Sequence, residues 1–355
     1  AASDVYKRQV KGFAQTLAIG IIASMFTALV ITRLIVNAFY AVGLRSEKLY
    51  YRPKKEREPI DFLSKKKVFF TISLVLIAAG VITIGVNAGR GKGAFAYSLE
   101  FQGGTSTNVT FDKDYSIDEI DKEIVPVVEK VTGDNNVQTQ KVAGTNQVII
   151  KTVTLDLDKR EALNKAMVDN FGVDESKITA ENISSTVSNE MRRDAVIAVV
   201  IATICMLLYI WFRFKDIRFA TSAVLALLHD VLVVVGFYAI ARISVGNTFI
   251  ACMLTIVGYS INATIVIFDR IREEMRGKTK SSDVAAVVNK SITQTLTRSI
   301  YTSLTTFIMV AVLYVMGVSS IKEFALPLMV GVVCGAYSSV CITGALWYVM
   351  KRFKK

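Results

Sequence analysis

The sequence predicts a polytopic α-helical membrane protein, with about seven transmembrane helices and one inserted α+β domain on the extracytoplasmic side. Three observations predict it. Hydrophobic residues make up 52% of the chain and the mean hydropathy is +0.43. Seven apolar runs reach the roughly 20 residues needed to cross a bilayer. The basic residues fall in alternate connecting segments, as expected when positive charge is retained in the cytoplasm.

In chain order the runs lie near 12–40, 68–87, 194–212, 219–241, 247–268, 299–317 and 324–350. Ala1 to Gln9 has no periodicity and reads as a foreign leader or a truncated start to the first unit, 1–42. No cleavable signal peptide is evident, because the first apolar run is too long and lacks a small-residue cleavage site. The linker 43–67 holds nine basic residues, including Lys65, Lys66 and Lys67, against four acidic ones, so it is placed in the cytoplasm. After the span 68–87, alternation puts 88–190 outside. Within 191–355 it puts Arg213 to Arg218, the segment 269–298 and the terminal Lys351 to Lys355 inside. Asp283 to Leu296 sets Val284, Val287, Val288 and Ile292 on one face. This amphipathic helix either lies in the cytoplasmic interface or packs under the bundle.

The net charge of +12 and pI near 9.4 raise the question of nucleic acid, and the distribution answers it. Segment 88–190 has eleven basic and seventeen acidic residues, so the positive excess belongs to the membrane part and its lipid bilayer, not to nucleic acid.

The acidic segment patterns as a compact domain. Tyr97 to Phe101 reads as a first strand, set aside as an entry arm. Thr105 to Phe111 follows the Gly103-Gly104 turn as a strand, and Ser116 to Val131 as a helix with Ser116 and Glu119 forming a capping box. Strands at Val137 to Val142 and Gln147 to Val153, a helix at Asp158 to Phe171 and a strand at Ile178 to Val187 complete a β-α-β-β-α-β order. That is the order of a ferredoxin-like fold, which hosts many functions and specifies none.

Polar groups at membrane depth each cost several kcal/mol unless paired or wet, which makes them informative. His229 and Asp230 sit near the middle of the fourth run, about 18 Å along a helix from Arg218. A carboxylate there has the property needed of a proton or sodium carrier, or else hydrogen-bonds a neighbouring helix. His229, the sole histidine, is a relay or a structural partner. Tyr259, Asn262 and Val266 share a face of the fifth run. Arg298 opens the sixth, followed by the hydroxyl stripe Thr302, Thr305 and Thr306; it either pairs with a carboxylate or snorkels to the interface. Gly331 and Gly335 form a GxxxG contact motif.

Cys205, Cys252, Cys334 and Cys341 lie in apolar stretches with no CxxC and read as small buried apolar residues. HExxH, Walker A and GxSxG motifs are absent, and one histidine excludes a multi-histidine metal site. We therefore expect no enzyme activity, no metal and no cofactor.

Several motifs in order are more specific. Leu99-Glu100-Phe101-Gln102-Gly103-Gly104-Thr105, Leu228-His229-Asp230-Val231, and Leu254 through Gly258, Tyr259 and Asn262 into Phe268-Asp269-Arg270-Ile271-Arg272-Glu273 resemble the SecF family, the SecF part of the bacterial SecDF translocation factor. The resemblance covers about 60–355, while Lys11 to Arg33 resembles the last helix of SecD, as in the tail of a fused SecD-SecF protein. It implies a member of the resistance-nodulation-division (RND) superfamily in the bacterial cell membrane. Such a chain would use proton or sodium motive force to promote preprotein translocation and release. The implied partners are the SecYEG channel, a SecD half or subunit, a YajC-like accessory protein and the translocating preprotein. By the same resemblance Asp230, Asn262 and Arg298 fall on the ion pathway. One departure stands out: the family usually has Asn-Asp-Thr where this chain has Asn262-Ala263-Thr264. An RND-type exporter of small molecules or lipids is the competing reading, disfavoured because such pumps usually carry larger outer domains.

Overall fold

The computed structural model describes residues 12, 15–16, 18–46, 58–90, 93–98, 101, 103–134, 137–142, 145–183, 185–276, 283–316 and 319–352. The expected leader 1–9 lies outside them. Two units are distinguished, Ala1–Pro59 and Ile60–Lys355. In the first, helix α1 (Ala18–Ala41) has a mean hydropathy of 2.2. Its hydroxyls are satisfied locally, Thr27 Oγ1 donating to the Ala23 carbonyl at 2.9 Å and Thr32 Oγ1 to that of Thr27 at 3.0 Å.

In the second unit α2 (Lys66–Gly89) leads out to the short strand β1 (Ala96–Tyr97) and the α+β domain. The domain consists of β2 (Gly104–Thr110), α3 (Ile117–Glu119, a π-helical turn Ile120–Ile124, then Val125–Thr132), β3 (Gln138–Lys141), β4 (Gln147–Thr152), α4 (Leu157–Phe171) and β5 (Ile178–Ile183). The sheet is antiparallel in the order β3-β4-β2-β5, the ferredoxin-like arrangement. Alternation along β2 and β4 turns Val109, Val148 and Ile150 inward onto Ile120, Ile124, Val128, Leu163 and Met167 of the helices. Gly103 and Gly104 have φ of +78° and +153°, backbone that suits glycine where the chain enters β2.

The capping box forms as expected: Ser116 Oγ accepts from the Glu119 N–H, and the Glu119 carboxylate accepts from the Ser116 N–H at 2.7 Å. Lys113, 2.9 Å away, and then Ser116 hold the Glu119 carboxyl down at about 2 against an ordinary 4.5. Because this pKa is depressed in the folded state, the contribution is present above pH 4.5 and is lost as the pH falls through 2. We expect the Glu119 carboxyl resonance to titrate near pH 2 in the native protein, and Ser116→Ala to move it upward. A midpoint near 4.5 in the unsubstituted chain would contradict the contact.

From β5 the chain enters α5 (Ser185–Phe214), a continuous helix of 30 residues. It is followed by α6 (Ile217–Ala241), β6 (Ser244–Val245), α7 (Asn247–Met275), α8 (Val284–Met316) and α9 (Ser319–Tyr337), which continues through a π-helical turn at Ser338–Thr343 into α10 (Gly344–Arg352). Among the described residues seven helices, counting α9 and α10 as one, are long and apolar enough to cross a membrane. The expected last strand is therefore shorter than its pattern, since α5 takes over at Ser185. The entry arm pairs with β6 in parallel, Ala96 opposite Ser244 and Tyr97 opposite Val245, and so belongs to the loop between α6 and α7.

The segment 269–298 is not a separate amphipathic element. Its first residues are the end of α7, and Val284 onward is the start of the 33-residue α8. The packed alternative holds: Val288 and Ile292 are buried with Leu63, Ile271 and Trp347. The polar residues beside them hold the linker. Asn289 Oδ1 accepts from the N–H groups of Phe62 and Leu63 at 3.1 and 3.2 Å, its amide donates to Asp61 at 2.8 Å, and Thr293 accepts from the Ile60 N–H at 2.9 Å. The Ser64 N–H and then Asn289 keep the Asp61 carboxyl below its usual range. At the same end Phe219 stacks on Trp347 at 4.8 Å and meets Phe268 at 4.7 Å.

Candidate functional site

Asp216 caps α6 by accepting from the Arg218 N–H at 2.9 Å. The uninterrupted helix then carries Asp230 about 20 Å along its axis, where its side chain is fully buried. Four donors or potential donors surround its carboxyl. Ser260 Oγ of α7 and Ser338 Oγ of the π-helical turn donate to Oδ2 at 2.5 and 2.7 Å. Cys334 Sγ of α9 donates to Oδ1 at 3.4 Å, and His229 Nδ1 lies 2.9 Å from the same oxygen. One proton on the short His229 to Asp230 contact has two places to reside, imidazole or carboxyl. His229 Nε2 is buried and has no hydrogen-bond partner among the described residues.

Close helix approach builds this pocket. A Cβ at Gly331 would lie 2.4 Å from Ile256 Cδ1, and one at Gly335 would lie 3.3 Å from Ser260 Cβ. The GxxxG motif thus brings α9 onto α7 and Ser338 within reach of Asp230. The π-helical turn adds Ser339 and Thr343, both fully buried. Such turns recur at functional sites. Ser339 Oγ donates to the Gly335 carbonyl at 2.6 Å and stands 3.3 Å from Thr264 Oγ1 of α7.

The other expected residues lie on a different face of α7. Tyr259, Asn262, Ala263 and Val266 line a cleft of about 100 Å³ with Arg298, Ser299, Thr302 and Ser303 of α8. Tyr259 Oη and Ser299 Oγ are buried there without partners among the described residues. Asn262 and Arg298 are brought together, whereas Asp230 faces α9 with α7 between. Asn262 is exposed, not inside the bundle. The hydroxyls of Thr302, Thr305 and Thr306 donate to carbonyls of their own helix at 2.8, 2.8 and 3.0 Å and make no bond to another helix among the described residues. Arg298 makes no ion pair with a described residue and is exposed.

Asp269 and Arg270 latch one end of the bundle. Arg270 donates to Gln294 at 2.6 Å, Glu273 at 2.6 Å and Glu274 at 3.0 Å, while Asp269 pairs with Arg213 of α5 at 3.1 Å. A Cβ at Gly258 would meet nothing within 4 Å, so no close approach requires that glycine. Cys252 and Cys334 are buried as expected, but Cys205 is exposed on α5 and Cys341 is only partly buried, packed against the core that holds Trp347. The atoms of His229, Asp230 and Cys334 that could ligate a metal lie within 4.8 Å of one another. They are already engaged in hydrogen bonds, which a metal would have to displace. Sequence reasoning missed Ser260, Ser338, Ser339 and Cys334. The available signal was the run of hydroxyls one turn after Gly335 in an otherwise apolar stretch.

With this geometry in view, the family described as protein export membrane protein SecD/SecF, C-terminal, matches residues 163–353. The chain belongs to this family. Its resemblance to the SecF-type part is close to full length: it is 36% identical to the protein translocase subunit SecF of Petrotoga mobilis over 83% of this chain and 98% of that one. It is 33% identical to the protein translocase subunit SecDF of Bacillus subtilis over 96% of this chain and 47% of that one. The crystal structure of SecDF, a translocon-associated membrane protein from Thermus thermophilus, superposes with a TM-score of 0.78 at 31% identity. That match covers 99% of this chain and 47% of the other, so the chain spans about half the length of the SecDF proteins it resembles.

Proposed function

We propose that this chain serves protein export as a SecF-type membrane component. In this reading proton or sodium motive force, acting through Asp230, changes the posture of the outer domain as preprotein is translocated and released. The observation that carries the reading is the correspondence with SecF over 98% of that protein, joined to a buried carboxyl that contacts the single histidine and three further polar side chains from two other helices. The component performs no chemical turnover of its own. It works beside the SecYEG channel with a SecD-type half and a YajC-like accessory protein, and holds preprotein as it emerges. Lys65 to Lys67, Arg213, Arg218, Arg272 and Lys351 support a bacterial cell membrane orientation with the C-terminus cytoplasmic and 88–190 outside.

Crosslinking to SecYEG and to an arrested preprotein in inverted membrane vesicles tests the assignment; capture of neither would sink it. Ala263 stands in the cleft of Arg298, away from Asp230. We therefore expect Ala263→Asp to leave the rate of vesicle export unchanged. A rise in that rate would move the coupling step to the cleft.

A further inference from the structure

At the end of the bundle that carries the α+β domain, a cavity of about 360 Å³ lies between α5, α6 and α7. Its walls are aliphatic or aromatic, with Val199 of α5, Val235 of α6 and Met253 of α7 among them. The roof includes Tyr97 of β1 and Val245 of β6, residues fixed by the pairing of those strands. Val196 and Val200, also in the lining, are 64% and 50% exposed, so the cavity opens sideways through α5. Among the described lining residues Arg192 alone is charged. Arg192 is the first residue of the apolar part of α5, and its guanidinium stacks 4.5 Å over the Tyr97 ring. Its Nε is buried without a hydrogen-bond partner among the described residues.

We propose that this cavity binds one membrane phospholipid, an acyl chain in the slot and the phosphate on Arg192. An apolar slot that opens to the side of a membrane span is reached by lipid tails before anything else, and an arginine at the mouth sits at headgroup level. Stacking on Tyr97 holds the planar guanidinium while leaving its edge for a phosphate, the geometry in which arginine binds that group best. An extended peptide would bring N–H and C=O groups against walls that offer them almost no partners. A bound lipid also supports the β1 and β6 roof, β1 being the last strand before the chain enters the α+β domain.

Native mass spectrometry of the full chain with dioleoyl phosphatidylglycerol tests this. The unsubstituted protein is expected to retain one lipid, and Arg192→Gln to weaken retention about tenfold, the scale of one lost charge-assisted hydrogen bond. Val199→Trp, which fills the slot and keeps the arginine, should do the same. Val312→Trp, on an exposed face of α8, should not. Retention unchanged in both slot variants overturns the proposal. Loss in Arg192→Gln with Val199→Trp unaffected also overturns it, since that describes a headgroup contact without a tail site. A photo-crosslinker at Val199 should form its product with lipid; a product with translocating preprotein instead would assign the cavity to peptide.

Discussion

Asp230→Asn is expected to silence the ion-driven part of export while leaving the bundle folded. Asparagine has nearly the same volume, and its carbonyl can still accept from Ser260 or Ser338, so packing among α6, α7 and α9 is retained. What disappears is the carboxyl that lies 2.9 Å from His229 Nδ1. Loss of a positioned proton-transfer group costs about a hundredfold or more, and a drop of that order should appear in the ion-motive-force-dependent rate of preprotein translocation into vesicles. The residual rate should match that of unsubstituted vesicles treated with an ionophore. If Asp230→Asn vesicles keep both their rate and their ionophore sensitivity, the carboxyl is only an acceptor that ties three helices together. Ser338→Ala separates the same two roles more gently, since it removes one donor and leaves the titratable pair.

Gly80→Val should be the most destabilising substitution in the membrane part. A Cβ built on Gly80 would stand 2.7 Å from Gly236 Cα, and one on Gly236 would stand 2.8 Å from Gly80 Cα. The obstruction is backbone, which no rotamer change can relieve, so α2 and α6 must separate along their length. Overpacking a tight core costs about 1–3 kcal/mol, and a backbone clash belongs at the upper end. The separation would also stretch the bond from Asn87 Nδ2 to the Ala239 carbonyl, now 3.1 Å. Thermal unfolding in detergent should show a clearly lowered midpoint for Gly80→Val and for Gly236→Val. The double variant should be little worse than either, because helices already parted leave room for the second side chain. Midpoints equal to that of the unsubstituted protein would mean the helices do not touch at these glycines.

The membrane spans and the element order of the α+β domain were legible because their signals are local. An apolar run of sufficient length, a Ser116 to Glu119 box and alternation along Gln147 to Thr152 each lie within a few residues of sequence. Contacts between distant segments were not. Nothing about Ala96 and Tyr97 announces a partner at Ser244 and Val245, and the pairing moves the entry arm out of the domain it precedes. Asp230 stood out as a charge in an apolar run. Its partner Ser338 lies 108 residues further along the chain and is an ordinary small polar residue by itself. Helical periodicity grouped Tyr259, Asn262 and Val266 correctly, but it could not tell which neighbour that face would meet. It meets α8, so Asn262 and Arg298 share a cleft that excludes Asp230.

The unbroken course of α5 has a mechanical meaning. The helix begins where β5 ends and runs 30 residues, a rod of about 45 Å. Many of its side chains, Val196, Ile197, Ile201, Ile204, Leu208 and Phe212 among them, are exposed. Its other end is held where Arg213 meets Asp269, and a tilt about that point would carry the whole rod. A tilt of about 10° displaces the far end by about 8 Å over that length. A small rearrangement near the Arg213 end would therefore be magnified at the α+β domain.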